Sequence, residues 1–218
     1  LTGDLFNMYV FLEITGLAAY ALVASSGSGR SAYAALKYLL IGTVGASLFL
    51  LGVGYAYVAT GTLNMADLSD RLAVVGYDSR LVIAAFALVV TGLVIKTALY
   101  PVHTWQPEAY ASAPDSVSTF ISALVSTVAA YAIARVIVSV FTVEFFAAIP
   151  EAQQVLLVVA SLSVVAGSVL AVMQSEVKRM LAYSSVSQYG IVIAAFVIAE
   201  PTALIGGIIL LIGHGIMK

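Results

Sequence analysis

An all-α, polytopic transmembrane helical bundle is the fold class this sequence predicts, and three observations carry it. Of 218 residues, 62% are hydrophobic and only 9% charged, against roughly 25% charged in an ordinary soluble domain. The apolar residues fall into several separate runs, each close to the ~20 residues a helix needs to cross the hydrocarbon core. Polar, Gly-rich or Pro-containing connectors part the runs, and because unpaired backbone is not tolerated in lipid, each run reads as a helix.

Seven spans follow in order, at approximately residues 5–24, 33–59, 81–100, 117–141, 155–173, 181–199 and 203–218. The first ends at SSGSGR, residues 25–30. The second carries Gly42, Gly45, Gly52 and Gly54, small residues that suit close helix packing. A polar stretch with Asn64, Asp67, Asp70 and Arg71 separates it from the third, which runs to a break at Pro101. Gln174 to Arg179 leads into the sixth, and Glu200-Pro201 into the seventh. Residues 1–218 read as a single membrane domain, and both ends look cut from a longer chain.

Composition excludes several functions. With a net charge of −2 and no Lys/Arg cluster, the chain has no footprint for nucleic acid. The absence of cysteine removes disulfides, zinc clusters and iron–sulfur centres. Two histidines, His103 and His214, exclude a multi-haem carrier. No cofactor and no metal are expected. In the loops, Arg30, Lys178 and Arg179 share one side and Arg71 and Arg80 the other, which puts the first set in the cytoplasm by a margin of one.

Function is carried by ionisable residues inside the spans. Glu13 sits near the middle of LFNMYVFLEITGLAAYALVA, where an isolated carboxylate costs several kcal/mol and needs a partner or a proton. Lys96 lies deep in the third span, five residues before Pro101, where the helix should break beside the charge. Opposite buried charges invite pairing, and a pair titrates as a unit. His214 and Lys218 fall four residues apart on one helical face and could relay a proton. Lys37 opens the second span. The plain alternatives are a neutral hydrogen-bonded Glu13, lysines reaching the headgroups, and a satisfied buried His214. The segment from Pro101 to Ser118 reads as a loop or short half-helices holding His103, Glu108 and Asp115, with Trp105 as an interfacial anchor.

These residues resemble a known family, the proton-conducting, antiporter-like membrane subunits shared by respiratory complex I, membrane-bound hydrogenases and Mrp-type sodium/proton antiporters. The resemblance rests on FLEITGLAAYAL around Glu13, the stretch from Ala35 to Leu68, KTALYPVHTWQPEAY from Lys96, and SEVKRMLAYSSVSQYGI from Ser175. GTLNMADL looks most like the D-type members of the Mrp antiporters. It implies inverted repeats of five helices, each with a broken helix, and a line of buried charges near the midplane. Glu13 and Lys96 match the family's Glu-Lys pair, His214 and Lys218 its second-repeat relay. Two positions depart from the pattern. Thr127 stands where the family usually places a lysine or histidine, and Ser116 replaces the second proline of a turn. Ser122, Ser126 and Thr127 can hold water there, with His103 as a further path-lining residue.

The implied function is translocation of protons or cations by a subunit of an Mrp-type Na+/H+ antiporter. The alternative is a proton-pumping subunit of a complex I-like or hydrogenase assembly; a structural subunit with a decayed path is a third reading. Expected partners are other membrane subunits, protons, sodium and the bilayer, in a prokaryotic plasma membrane. The chain shows no nucleophile-and-base constellation of its own.

Overall fold

The computed structural model describes residues 2–218. It is helical, with α1 (Leu5–Ala24), α2 (Gly29–Thr60), α3 (Met65–Val75), α4 (Arg80–Thr97), α5 (Trp105–Ser112), α6 (Asp115–Phe120), α7 (Ser126–Val136), α8 (Thr142–Ala148), α9 (Pro150–Val172), α10 (Val177–Ile198) and α11 (Pro201–Met217). Six segments are long and apolar enough to cross a membrane: α1, α2, the stretch 80–112, the stretch 115–148, α9 and α10. The apolar α11, with 17 residues, is shorter. The chain is a multi-pass membrane protein.

Local chemistry sets the helix ends. Asp4 caps α1 by accepting from Asn7 N at 2.7 Å. Ser28 accepts from Ser31 N at 3.1 Å, so α2 begins at Gly29 rather than near residue 33. The polar stretch after α2 is itself a short amphipathic helix, α3, which Asn64 caps and which buries Leu68 and Leu72. The fourth crossing is longer than residues 117–141: π-helical stretches at Ile121–Val125 and Ile137–Phe141 join α6 to α7 and extend α7 to Thr142, where φ of 60° marks a bend before α8.

The third crossing is broken where proline predicts, and the break lies before it. α4 ends at Thr97, and Ala98 adopts a left-handed conformation with φ of 63°. Leu99 N donates to Val94 O at 3.2 Å. Tyr100 N donates to Ser163 Oγ of α9 at 2.9 Å, and the Trp105 indole N–H donates to Ile95 O at 3.0 Å. Neighbouring elements thus satisfy backbone groups the break releases, as the bilayer demands. After a 3-10 turn at Val102–Thr104 the crossing resumes as α5, so of the two readings of this segment, a loop or short half-helices, the second holds.

α2 packs closely on α4 through glycine. A β-carbon on Gly45 would lie 2.9 Å from the Ile95 side chain, and one on Gly52 would lie 2.7 Å from Val89 N. Gly54 faces nothing within 4 Å and takes no part, contrary to the sequence reading. Phe86, Phe141, Phe145 and Phe146 form an aromatic core on the side of α3.

Candidate functional site

Glu13 stands halfway along α1, and Lys96 in the last turn of α4 just before the break. Lys96 Nζ donates to Glu13 Oε2 at 2.9 Å, with the two side chains 8% and 20% exposed respectively. The pair expected from sequence is formed. Beside Lys96 lies a cleft of about 20 Å3 lined by Gly16, Tyr20, Tyr38, Gly42, Trp105 and Val125, enough for about one water.

Two glycines make room for a hydroxyl in this cleft. A β-carbon on Gly42 would collide with Tyr20 OH, and one on Gly16 would lie 2.9 Å from Tyr20 OH and 3.4 Å from Lys96 Nζ. Tyr20 therefore reaches between α1 and α2 to the neighbourhood of the ammonium. Tyr38 stacks on Trp105 at a centroid distance of 4.0 Å and meets Tyr20 edge-on at 4.5 Å. Trp105, fully buried in this stack, is no interfacial anchor. Its position next to the helix break decides that.

Beyond the cleft, Gln106 and Ser126 follow the lining residues Trp105 and Val125 in the chain. Gln106 Nε2 donates to Tyr110 OH at 2.8 Å, and Tyr110 OH lies 3.3 Å from Ser126 Oγ. Thr127 Oγ1 lies 3.1 Å from Tyr189 OH, which donates to Ser122 O at 3.2 Å. Ser122 contributes that carbonyl, while its own hydroxyl turns back to Thr119 O at 3.0 Å. The π-helical turn containing Ser122 thus presents a carbonyl to a side chain.

His214 is buried beside Tyr189, edge-on at 5.1 Å, with Nε2 lacking a hydrogen-bond partner among the described residues. Lys218 donates to Leu181 O at 2.7 Å and lines an open cleft of about 170 Å3 with Tyr110, Asp115, Ser122 and Lys178. His103 and Lys37 are not part of the Lys96 cleft. They lie within electrostatic reach of each other, and His103 is buried between the rings of Tyr100 and Tyr183.

Sequence reading missed Gln106, Tyr110, Tyr189 and Tyr20. Each is neutral, so the cost that exposes a buried charge gives no signal for it. Only the pairing of Gln106 with the helix break hinted at a buried polar group. Arg135 was also unassigned: Nη2 sits 3.5 Å from Thr2 O and 3.6 Å from Met65 Sδ. That places its guanidinium, carried on α7, at the end of the bundle where Arg71 lies.

Comparison with known proteins places the chain among relatives of the same fold. NADH-quinone oxidoreductase subunit N of Desulforudis audaxviator is 46% identical over 217 residues, covering 100% of this chain and 42% of the relative. The D-type subunit of the Na(+)/H(+) antiporter of Bacillus subtilis is 34% identical over 219 residues, covering 100% and 43%. A chain of the membrane-bound sulfane sulfur reductase, an archaeal respiratory membrane complex, superposes with a TM-score of 0.91 at 36% identity, covering 99% of this chain and 43% of its own length. The chain thus spans less than half the length of the curated relatives it matches. The family profile described as "NADH:quinone oxidoreductase/Mrp antiporter, TM" matches residues 2–218, and the chain belongs to that family of transmembrane proteins.

Proposed function

We propose that this chain is a proton-translocating part of a subunit in a multisubunit complex of a prokaryotic plasma membrane. The observation that carries the reading is the Glu13–Lys96 ion pair, 2.9 Å long and held within the bundle where α4 breaks. Burying two charges is costly, and geometry of this quality repays the cost only while they stay together. If the break lets Lys96 withdraw, each charge is left unpaired in a medium of low dielectric. Lys96 then sheds its proton and Glu13 takes one up, so motion of the helix becomes motion of protons. His214 and Lys218 serve as further stations.

Two driving forces suit the same site. Identity of 46% to an oxidoreductase subunit favours redox energy delivered by partner subunits. Identity of 34% to an antiporter subunit, over the whole chain, favours exchange of protons for sodium. Inside-out vesicles holding the intact complex separate them: reductant drives proton uptake in the first case, an imposed sodium gradient in the second.

Glu13→Gln and Lys96→Met in the intact complex test the shared reading. Each is expected to lower proton transport at least tenfold while the complex assembles in normal amount. Full transport in both variants would overturn it.

A further inference from the structure

We infer that Tyr20 is a positioning residue for Lys96: its phenol and the ammonium hold one water between them above Gly16, and that water fixes the direction in which Lys96 meets Glu13. The inference rests on the proposed function and adds a third member to its ion pair.

Spacing on α1 sets the site up. Glu13, Gly16 and Tyr20 stand three and four residues apart, so they share one face of the helix. Lys96 Nζ reaches that face from α4 and donates to Glu13 Oε2 at 2.9 Å. Helical side chains lean toward the N-terminus, which brings the hydroxyl of Tyr20 back over Gly16. The point where a β-carbon of Gly16 would stand lies 2.9 Å from Tyr20 OH and 3.4 Å from Lys96 Nζ. Phenol and ammonium therefore flank the same open spot.

Hydrogen-bond accounting shows what belongs there. An ammonium has three donors, and Glu13 is the one acceptor that Lys96 reaches among the described residues. The Lys96 side chain is only 8% exposed, so bulk solvent does not serve the other two. Tyr20 is 4% exposed. Its hydroxyl, unlike those of Tyr110 and Tyr189, has no protein partner among the described residues. The cleft that both side chains line holds about 20 Å3, with Tyr38 on the same wall. A buried water needs about 10–15 Å3 and two to four polar partners, and the cleft meets both conditions. Glycine keeps the place open: a methyl group at Gly16 would stand where the water does, and one at Gly42 would collide with Tyr20 OH.

A water that accepts from Lys96 and bonds to Tyr20 gives the ammonium a second anchor besides Glu13. The ion pair then keeps a single geometry, and when the break in α4 draws Lys96 away, both anchors are lost in one movement. Without the phenol the ammonium is held by Glu13 alone and swings within the cleft, so its departure from Glu13 no longer follows the helix.

Tyr20→Phe in the full-length subunit within its complex keeps the ring between α1 and α2 and removes the hydroxyl. Coupled proton transport in vesicles is expected to fall about tenfold, the scale of one hydrogen bond to a charged group, with assembly unchanged. Gly16→Ala puts a methyl group in the water's place and is expected to cost as much. The double variant should be no worse than either single one, because both remove the same water. Maps of the wild-type complex from cryo-electron microscopy, at a resolution that shows waters, should hold one peak within hydrogen-bond distance of Lys96 Nζ and Tyr20 OH, lost in both variants. Wild-type transport in Tyr20→Phe overturns the inference. So do additive losses, which mark two separate packing defects, and so does a wild-type map without the peak. Should Glu13→Gln and Lys96→Met both stay fully active, the proposed function falls, while the water peak still decides whether Tyr20 positions Lys96.

Discussion

Arg179, in the first turn of α10, donates through Nη2 to both carboxylate oxygens of Glu108 on α5, at 3.2 and 3.3 Å. The same arginine lies 3.2 Å from Glu176, which binds Arg30 at the start of α2 at 3.2 Å. Next to it, Lys178 Nζ donates to Ala113 O at 2.9 Å and pairs with Asp115 at 2.6 Å. The second half of the broken crossing is therefore tied to α10 by charge, while its first half is tied to α2 by glycine packing. Trp105, Gln106 and Tyr110 all ride on the tied half.

Loss of that tie is the first prediction. Arg179→Ala and Glu108→Ala should each lower the thermal stability of the purified complex and slow proton transport. Both side chains are about 30% exposed, so a coupling of about 1 kcal/mol is expected. A double-mutant cycle on unfolding in detergent measures it. Fully additive single effects would show that the contact carries no coupling.

Two glycines of α2 give a second prediction, one serving as the control for the other. Gly52→Ala forces a β-carbon to 2.7 Å from Val89 N and 3.0 Å from Ala85 O, so backbone has to move. The cost is about 1–3 kcal/mol, read as a lower melting temperature. Gly54→Ala meets nothing within 4 Å and should leave stability unchanged or raise it by up to about 1 kcal/mol through helix propensity. Equal effects at the two positions would contradict the packing described.

The third concerns pH at the end of α2. Hydrogen bonding from Arg71 holds the Asp67 carboxyl below the usual carboxylate range. Arg71 donates to Asp67 at 2.9 Å and to Thr60 O at 3.0 Å, so the ion pair braces the C-terminus of α2. A carboxyl whose folded pKa is lowered stabilises the fold above its unfolded pKa, near 4, and that contribution disappears as pH falls through the folded value. Protection factors of the α3 amides, taken relative to the intrinsic exchange rate at each pH, should therefore fall below about pH 4. In Asp67→Asn, exchange should already be faster at neutral pH and show no further step from this group.

What was legible and what was not divides by the cost of burial. Glu13 and Lys96 stood out because a charge in an apolar run has to be answered by something, and Pro101 marked where the helix yields. Tyr110, Tyr189 and Gln106 carry no charge, so the penalty that singles out Glu13 and Lys96 did not single them out. Trp105 shows the opposite hazard. Its composition matches an aromatic belt, yet the broken helix turns it inward against Tyr38, where its N–H serves Ile95 O.

By itself, then, the sequence determined the membrane class, the order of the crossings, the break near Pro101 and the two charges that need each other. Those follow from hydrophobic length and from the penalty for unpaired charge, both of which act on short stretches of chain. Only the tertiary structure decided that Tyr20 fits between Gly16 and Gly42 beside Lys96, that α5 is held by Arg179, and that Ser126 and Thr127 meet tyrosines from two other helices. Such contacts depend on how helices cross, and a hydroxyl declares its partner only when another helix brings one within about 3 Å.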